Sequence, residues 1–303
     1  MTERVLKQLV GAFAVMVAIW VLTNLVEPGS GSIEAPGEVT GLFDGLGTGE
    51  LESASFVYRG EEVALTREPG GWQVNGYPAD PVMIARFSDA LRDLQVGDLT
   101  ASNPANHARM GVSVDSAVTV TMTAHGTDRT FLLGHAGRQF GSAYLRLPDR
   151  DDVYLLDADL RGHATRAEDA WRDRSMAAVD TTTVHAIEVA GTSAGYTLLR
   201  RDSTWVLSSG GDADTDAVQG ILSELANLMA TGFLSEGDSI ANLPEATVTI
   251  ARSADGEALA TVTLGEGEGD RWARTALEDF LYSVSSFRAD RLAPSRANVT
   301  PGS

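Results

Sequence analysis

Residues 70–101, GGWQVNGYPADPVMIARFSDALRDLQVGDLTA, and residues 203–236, STWVLSSGGDADTDAVQGILSELANLMATGFLSE, carry the same pattern. In each, a short strand-like segment holds a tryptophan, a glycine-containing turn follows, and an aspartate opens an amphipathic helix. Trp72 pairs with Trp205, Asp80 with Asp214, and Phe87, Leu91 and Leu94 with Ile221, Leu225 and Leu228, at an offset of 133 to 134 residues. Leu133-Gly134 then pairs with Leu264-Gly265, and AYLRL at 143–147 with RWART at 271–275. An offset that persists across elements of different kinds reads as an internal repeat.

The periodicities within each copy assign the elements. Asp80 suits an N-cap with Pro81 at the first helical position. Ile84, Phe87, Leu91 and Leu94 then fall on one helix face. Val118, Val120 and Met122 alternate with Thr119, Thr121 and Thr123, a strand with one buried side. Arg129–Leu133, Ala143–Leu147 and Val153–Leu156 follow at hairpin distances. In the second copy Asp214 caps a helix whose face is Val218, Ile221, Leu225 and Leu228, and Val248, Ile250, Val262 and Leu264 supply later strands. The expected fold class is α+β: two tandem repeats, 50–180 and 181–293, each an antiparallel sheet with a capped amphipathic helix. Residues 294–303 are expected to be a disordered tail.

Ahead of the repeats, Arg4 and Lys7 precede an apolar run, and Val5 to Val26 is interrupted only by Lys7, Gln8, Thr23 and Asn24. About 20 residues at 1.5 Å rise cross a hydrocarbon core of about 30 Å. The exit, Trp-Val-Leu-Thr-Asn-Leu-Val-Glu, offers no small-x-small cleavage site. Residues 1–27 therefore read as an uncleaved signal anchor, crossing the bilayer through residues 5–26, with the basic end cytoplasmic. Residues 28–49, with seven Gly and two Pro, read as a flexible linker reaching about 25 Å.

The 303 residues are 43% hydrophobic and 21% charged, a globular composition. The formal charge of -19 repels phosphate backbones, so no nucleic-acid partner is expected. The absence of Cys excludes disulfides, thiol catalysis and Cys-ligated metals. Lys7, inside the anchor, is the only lysine, which excludes Ser–Lys catalysis, Schiff-base chemistry and a P-loop lysine. His107, His125, His135, His163 and His185 lie ten or more residues apart and form no H-x-x-x-H motif. Asp212, Asp214 and Asp216 open like an EF-hand loop, but Ala217 and Ser223 occupy the positions of its Gly and Glu. The first copy keeps only Asp80 of that trio, so the shared feature is a helix cap. No catalytic, cofactor-binding or metal-ligating residue, and no cofactor, is expected. The positions that matter are the repeat residues Trp72, Asp80, Trp205 and Asp214, read as core anchors and caps. A junction follows at Trp171, Arg172, Asp173 and Arg174, a candidate docking patch in which Asp173 is expected to pair with an arginine.

Trp72 through Asp80 with its following helix, Leu-Leu-Gly134, Ala143-Tyr-Leu-Arg146, Val153-Tyr-Leu-Leu156 and Trp171-Arg-Asp-Arg174 occur in an order that resembles the bacterial family of domain of unknown function 4340. The resemblance spans about residues 50–290. It implies a membrane-anchored extracytoplasmic protein associated with an ABC-type permease and a gliding-auxiliary-like subunit, and it brings no catalytic residues. The expected function is that of a non-enzymatic accessory or scaffold protein, single-pass in the inner membrane, with its C-terminal part periplasmic. Two alternatives stand behind it, a periplasmic ligand-binding or sensor module and a cell-envelope hydrolase.

Overall fold

The computed structural model describes residues 37–44, 46, 49–191, 195–234, 247–265, 269–276 and 280–302. The expected anchor lies outside them, and among the described residues no helix is long and apolar enough to cross a membrane.

Antiparallel strands with a few short helices make this an α+β protein. After α1 (Gly37–Thr40), the first sheet is built from β1 (Leu51–Tyr58), β2 (Glu61–Glu68), β3 (Gly71–Val74), β4 (Tyr77–Pro78), β5 (Gln95–Ala101), β6 (Val118–Ala124), β7 (Thr127–Ala136), β8 (Ser142–Arg146) and β9 (Val153–Asp157). Helices α2 (Pro81–Arg92), α3 (His107–Met110) and α4 (Leu160–Ala164) are interspersed. The strand order is β4-β3-β2-β1-β6-β7-β8-β9-β5. A second sheet holds β11 (Ala186–Ala190), β12 (Tyr196–Arg201), β13 (Thr204–Leu207), β15 (Gly232–Phe233), β16 (Thr247–Arg252), β17 (Ala258–Leu264), β18 (Arg271–Thr275) and β19 (Tyr282–Val284), in the order β13-β12-β11-β16-β17-β18-β19-β15. Its helices are α5 (Thr215–Ala226) and α6 (Ser286–Leu292), and β10 (Ser175–Ala177) pairs separately with β14 (Leu228–Met229). Both large sheets follow one itinerary. A meander, β1–β4 in the first sheet and β11–β13 in the second, leads into a 12-residue helix, then to an edge strand, then to a four-strand meander that starts beside the first strand.

The burial of β6 alternates as its sequence demands: Val118, Val120 and Met122 are buried, and the intervening threonines are half-exposed. Phe87 on α2 meets Phe56 on β1 edge-to-face at 5.6 Å, and Ile84 and Leu91 of the same helix are buried. On α5, Val218, Ile221 and Leu225 enter one core with Ile187, Leu198, Ala251 and Val262, joined by Leu228 just beyond the helix. Gly134 and Gly265 are each closed in by a neighbour. A Cβ on Gly134 would collide with the Met110 carbonyl, and one on Gly265 with the Trp272 indole.

Three expectations change. Part of the expected linker is packed: Val39 and Leu46 are buried, Phe43 meets the Phe131 ring at 5.2 Å, and Arg129 donates to the Leu42 and Asp44 carbonyls. Four apolar residues within eight positions supply a hydrophobic face that its glycine content obscured. The expected disordered tail also packs, because Val299 is fully buried and the Pro294 carbonyl accepts the Tyr196 hydroxyl at 2.8 Å. Finally, the chain divides into two compact units whose boundary differs from 180/181. One comprises residues up to Pro69 with Ala85–Arg166, and the other Gly70–Ile84 with residues from Ala167 onward. Residues 167–180 group with the second unit because β10 pairs with β14 and Arg172 packs against Phe233.

Candidate functional site

The two tryptophan–aspartate segments are held by corresponding hydrogen bonds. Trp72, half-buried on β3, accepts the Ala79 N–H on its carbonyl at 2.9 Å. The Asp80 carboxylate accepts from the N–H of Val82 at 2.8 Å, and the Asp80 N–H donates to the Trp171 carbonyl at 2.7 Å. Trp205, half-buried on β13, accepts from Ala213 at 2.9 Å. The Asp214 carboxylate accepts from Ala217 at 2.9 Å, and its N–H donates to Val299 at 2.9 Å. Both carboxylates are thus occupied as helix caps, satisfying N–H groups that the helix itself leaves without acceptors. Among the described residues, no group of three or more His, Cys, Asp or Glu could hold a metal ion.

The junction residues divide between core and surface. Trp171 is fully buried and Arg172 is 7% exposed, so packing consumes both side chains. The Arg172 guanidinium sits between two rings, 3.7 Å from the Tyr77 centroid and 3.6 Å from that of Phe233, with Phe280 at 5.0 Å. Its Nη1 lies 3.6 Å from both Glu168 and Asp169. Among the described residues, Arg172 Nε has no hydrogen-bond partner. Burying a guanidinium costs several kcal/mol. Desolvated cation–π contacts of about 2 kcal/mol and two carboxylates offset that cost. Asp173 does not pair with an arginine: its carboxylate accepts from the Ser175 N–H at 2.8 Å. Arg174 reaches the Asp169 carbonyl at 3.4 Å.

Local structure explains how Tyr77 reaches this cluster. Asn75 and Gly76 adopt positive φ values of 47° and 86°, a turn that Asn-Gly favours and that reverses β3 into β4. Asn75 Nδ2 donates to Glu168 at 2.8 Å, tying the turn to the carboxylate beside Arg172. Phe233 and Phe280 are the residues that sequence reading missed. They lie far along the chain from Arg172 and carry no periodic signal.

The histidines have separate surroundings. His107 Nε2 lies 2.8 Å from the Asp151 carbonyl, His135 Nδ1 3.3 Å from that of Arg109, and His185 Nδ1 3.0 Å from that of Thr183. His125 Nε2 lies 3.9 Å from Glu50. His163 is buried beside Phe87, and burial, reinforced by Arg166, lowers its pKa below the usual imidazole value. A cleft of about 470 Å³ opens in the second unit beside Trp205, Val218 and Leu222.

No curated protein and no solved structure matches the chain. A family model does match, over residues 72–244, beginning at the tryptophan of β3 and running through both capped helices and the Arg172 junction. The chain belongs to the family described as Domain of unknown function (DUF4340).

Proposed function

We propose that this protein is a membrane-anchored, extracytoplasmic accessory protein of an ABC-type transport assembly, acting through protein contacts rather than catalysis. The observation that carries the reading is the outer face of the second sheet. Ile187, Leu198, Ala251 and Val262 point into the core with α5, while Ala186, Leu199, Val206, Val248 and Ile250 alternate with buried neighbours and remain half-exposed. Leu199 lies directly opposite both Val206 and Ala186 in the ladder, so these three side chains are contiguous, and the Glu188–Arg252 ion pair borders them on the same face. A sheet with one side sealed by a helix and aliphatic side chains on the other suits docking to another protein.

Two further elements belong to the reading. The shared itinerary of the two sheets, with Trp72 and Trp205, and Asp80 and Asp214, at like positions, supports an origin by internal duplication. The apolar run 5–26 supports a single crossing with the N-terminus cytoplasmic and both units outside. That run carries no charged residue beyond Lys7, so transport itself belongs to other subunits. The charge of -19 favours a basic partner face and a salt-sensitive association. Isolation of the full-length protein in mild detergent at low salt, with mass spectrometry of what accompanies it, tests the reading. An ABC-type permease or a gliding-auxiliary-like subunit should co-purify and be released as salt rises. Recovery without any transport component overturns the proposal. Protease added to spheroplasts should remove both units, and their full protection overturns the topology.

A further inference from the structure

The cleft beside Trp205 is a built concavity that the scaffold reading does not use. Its volume of about 470 Å³ lies within the range of small-molecule sites. Trp205, Val218 and Leu222 form its apolar part, and Thr204, Gln219 and Arg200 stand among the polar groups around it. The indole packs against the core of the second unit yet stays half-exposed, so it presents aromatic surface to the cleft while anchored behind.

We infer that this cleft binds a neutral carbohydrate, with a sugar ring lying on Trp205 and its hydroxyls meeting the surrounding side chains. An aromatic surface matches the apolar C–H face of a pyranose, and neutral hydroxyl and amide groups match sugar hydroxyls without a charge to desolvate. The charge balance selects against ionic ligands. Arg200 and Asp212 are the charged residues lining the cleft and cancel. Arg200 Nη1 is already engaged with the Thr182 carbonyl at 3.0 Å. The net charge of -19 disfavours an anion, and a single indole is not the multi-ring cage that holds quaternary cations.

The polar groups are particular to the stretch around Trp205 and α5. Around Trp72 and α2 the like-placed residues are Gly71 for Thr204, Pro81 for Thr215, Ala85 for Gln219 and Ser88 for Leu222. A tryptophan and a capped helix are what the two matching stretches of sequence have in common, so the threonines and glutamine are not required by that frame. This inference stands apart from the docking face, which lies on the outer side of the sheet.

Full-length protein in a detergent without a sugar head group is titrated with N-acetylglucosamine, maltose, glucuronate and choline. Saturation-transfer NMR on ligand C–H protons and tryptophan fluorescence report binding. A neutral sugar should bind saturably, and Gln219→Ala and Thr204→Ala should each weaken that binding by about tenfold with the melting curve retained. Both positions are exposed, so the variants keep the test independent of Trp205→Leu, which also loses core packing. Failure of both neutral sugars to saturate, tighter binding of glucuronate or choline, or binding unchanged in the two variants overturns the inference.

Discussion

The guanidinium of Arg172 lies 3.6 Å from the centre of the Phe233 ring, and Tyr77 covers its other face at 3.7 Å. An arginine with 7% exposure held between two rings acts as a packing residue as much as a charged one. Its partners Glu168 and Asp169 are 32% and 57% exposed, so they regain water if the guanidinium is removed. The loss then comes mainly from ring contacts and the resulting cavity.

Arg172→Ala should destabilise the second unit by about 2–4 kcal/mol. Arg172→Lys should recover only part of that, because an ammonium lacks the planar face that stacks on both rings. Urea denaturation followed by circular dichroism measures both. A lysine variant as stable as the parent would show that charge alone, and not stacking, holds the cluster.

Asp80→Ala and Asp214→Ala should each cost on the order of 1 kcal/mol, the usual price of a lost N-cap. Asparagine at either position should retain most of it. Melting curves with calcium and with chelator should coincide for the parent and for both variants. A calcium-dependent rise in melting temperature that disappears in Asp214→Ala would reassign that carboxylate to a metal.

Glu224 is buried on α5 and lies 3.4 Å from Arg288 and 3.5 Å from Arg291 of α6. The two arginines are 34% and 40% exposed, so the pair is screened and its worth is limited. Glu224→Ala should cost about 1–2 kcal/mol, and Glu224→Leu less, because leucine fills the space without a charge to desolvate. Equilibrium unfolding of both variants checks the order, and the reverse order would show that the site does not accept the branched leucine without strain.

His163 should make stability fall on acidification. Burial, with Arg166 and Arg86 nearby, lowers its folded-state pKa, and Asp159 opposes the shift without cancelling it. Between the ordinary imidazole value of about 6.5 and the lower folded value, the unfolded chain binds the extra proton. The contribution is therefore intact above pH of about 6.5 and is lost as pH falls through that window. His163→Leu should flatten this part of the profile. Unfolding midpoints measured across the window test the sign, and a parent that gains stability on acidification there, relative to the leucine variant, would contradict it.

Sequence alone determined the elements whose signals are local. The alternation in β6, the faces of α2 and α5 and the caps Asp80 and Asp214 follow from periods of two and 3.6 residues and from end groups needing acceptors. At Gly134 and Gly265 only the structure supplies what closes on each glycine, a backbone carbonyl against one and an indole against the other. Tertiary structure decided the rest: the order of strands in each sheet, the burial of Val39, Leu46 and Val299, and the closing of Tyr77, Phe233 and Phe280 around Arg172. Those contacts join residues far apart in the chain. Periodicity marks which face of an element is buried, whereas the partner it meets is chosen by packing and by desolvation of the groups enclosed.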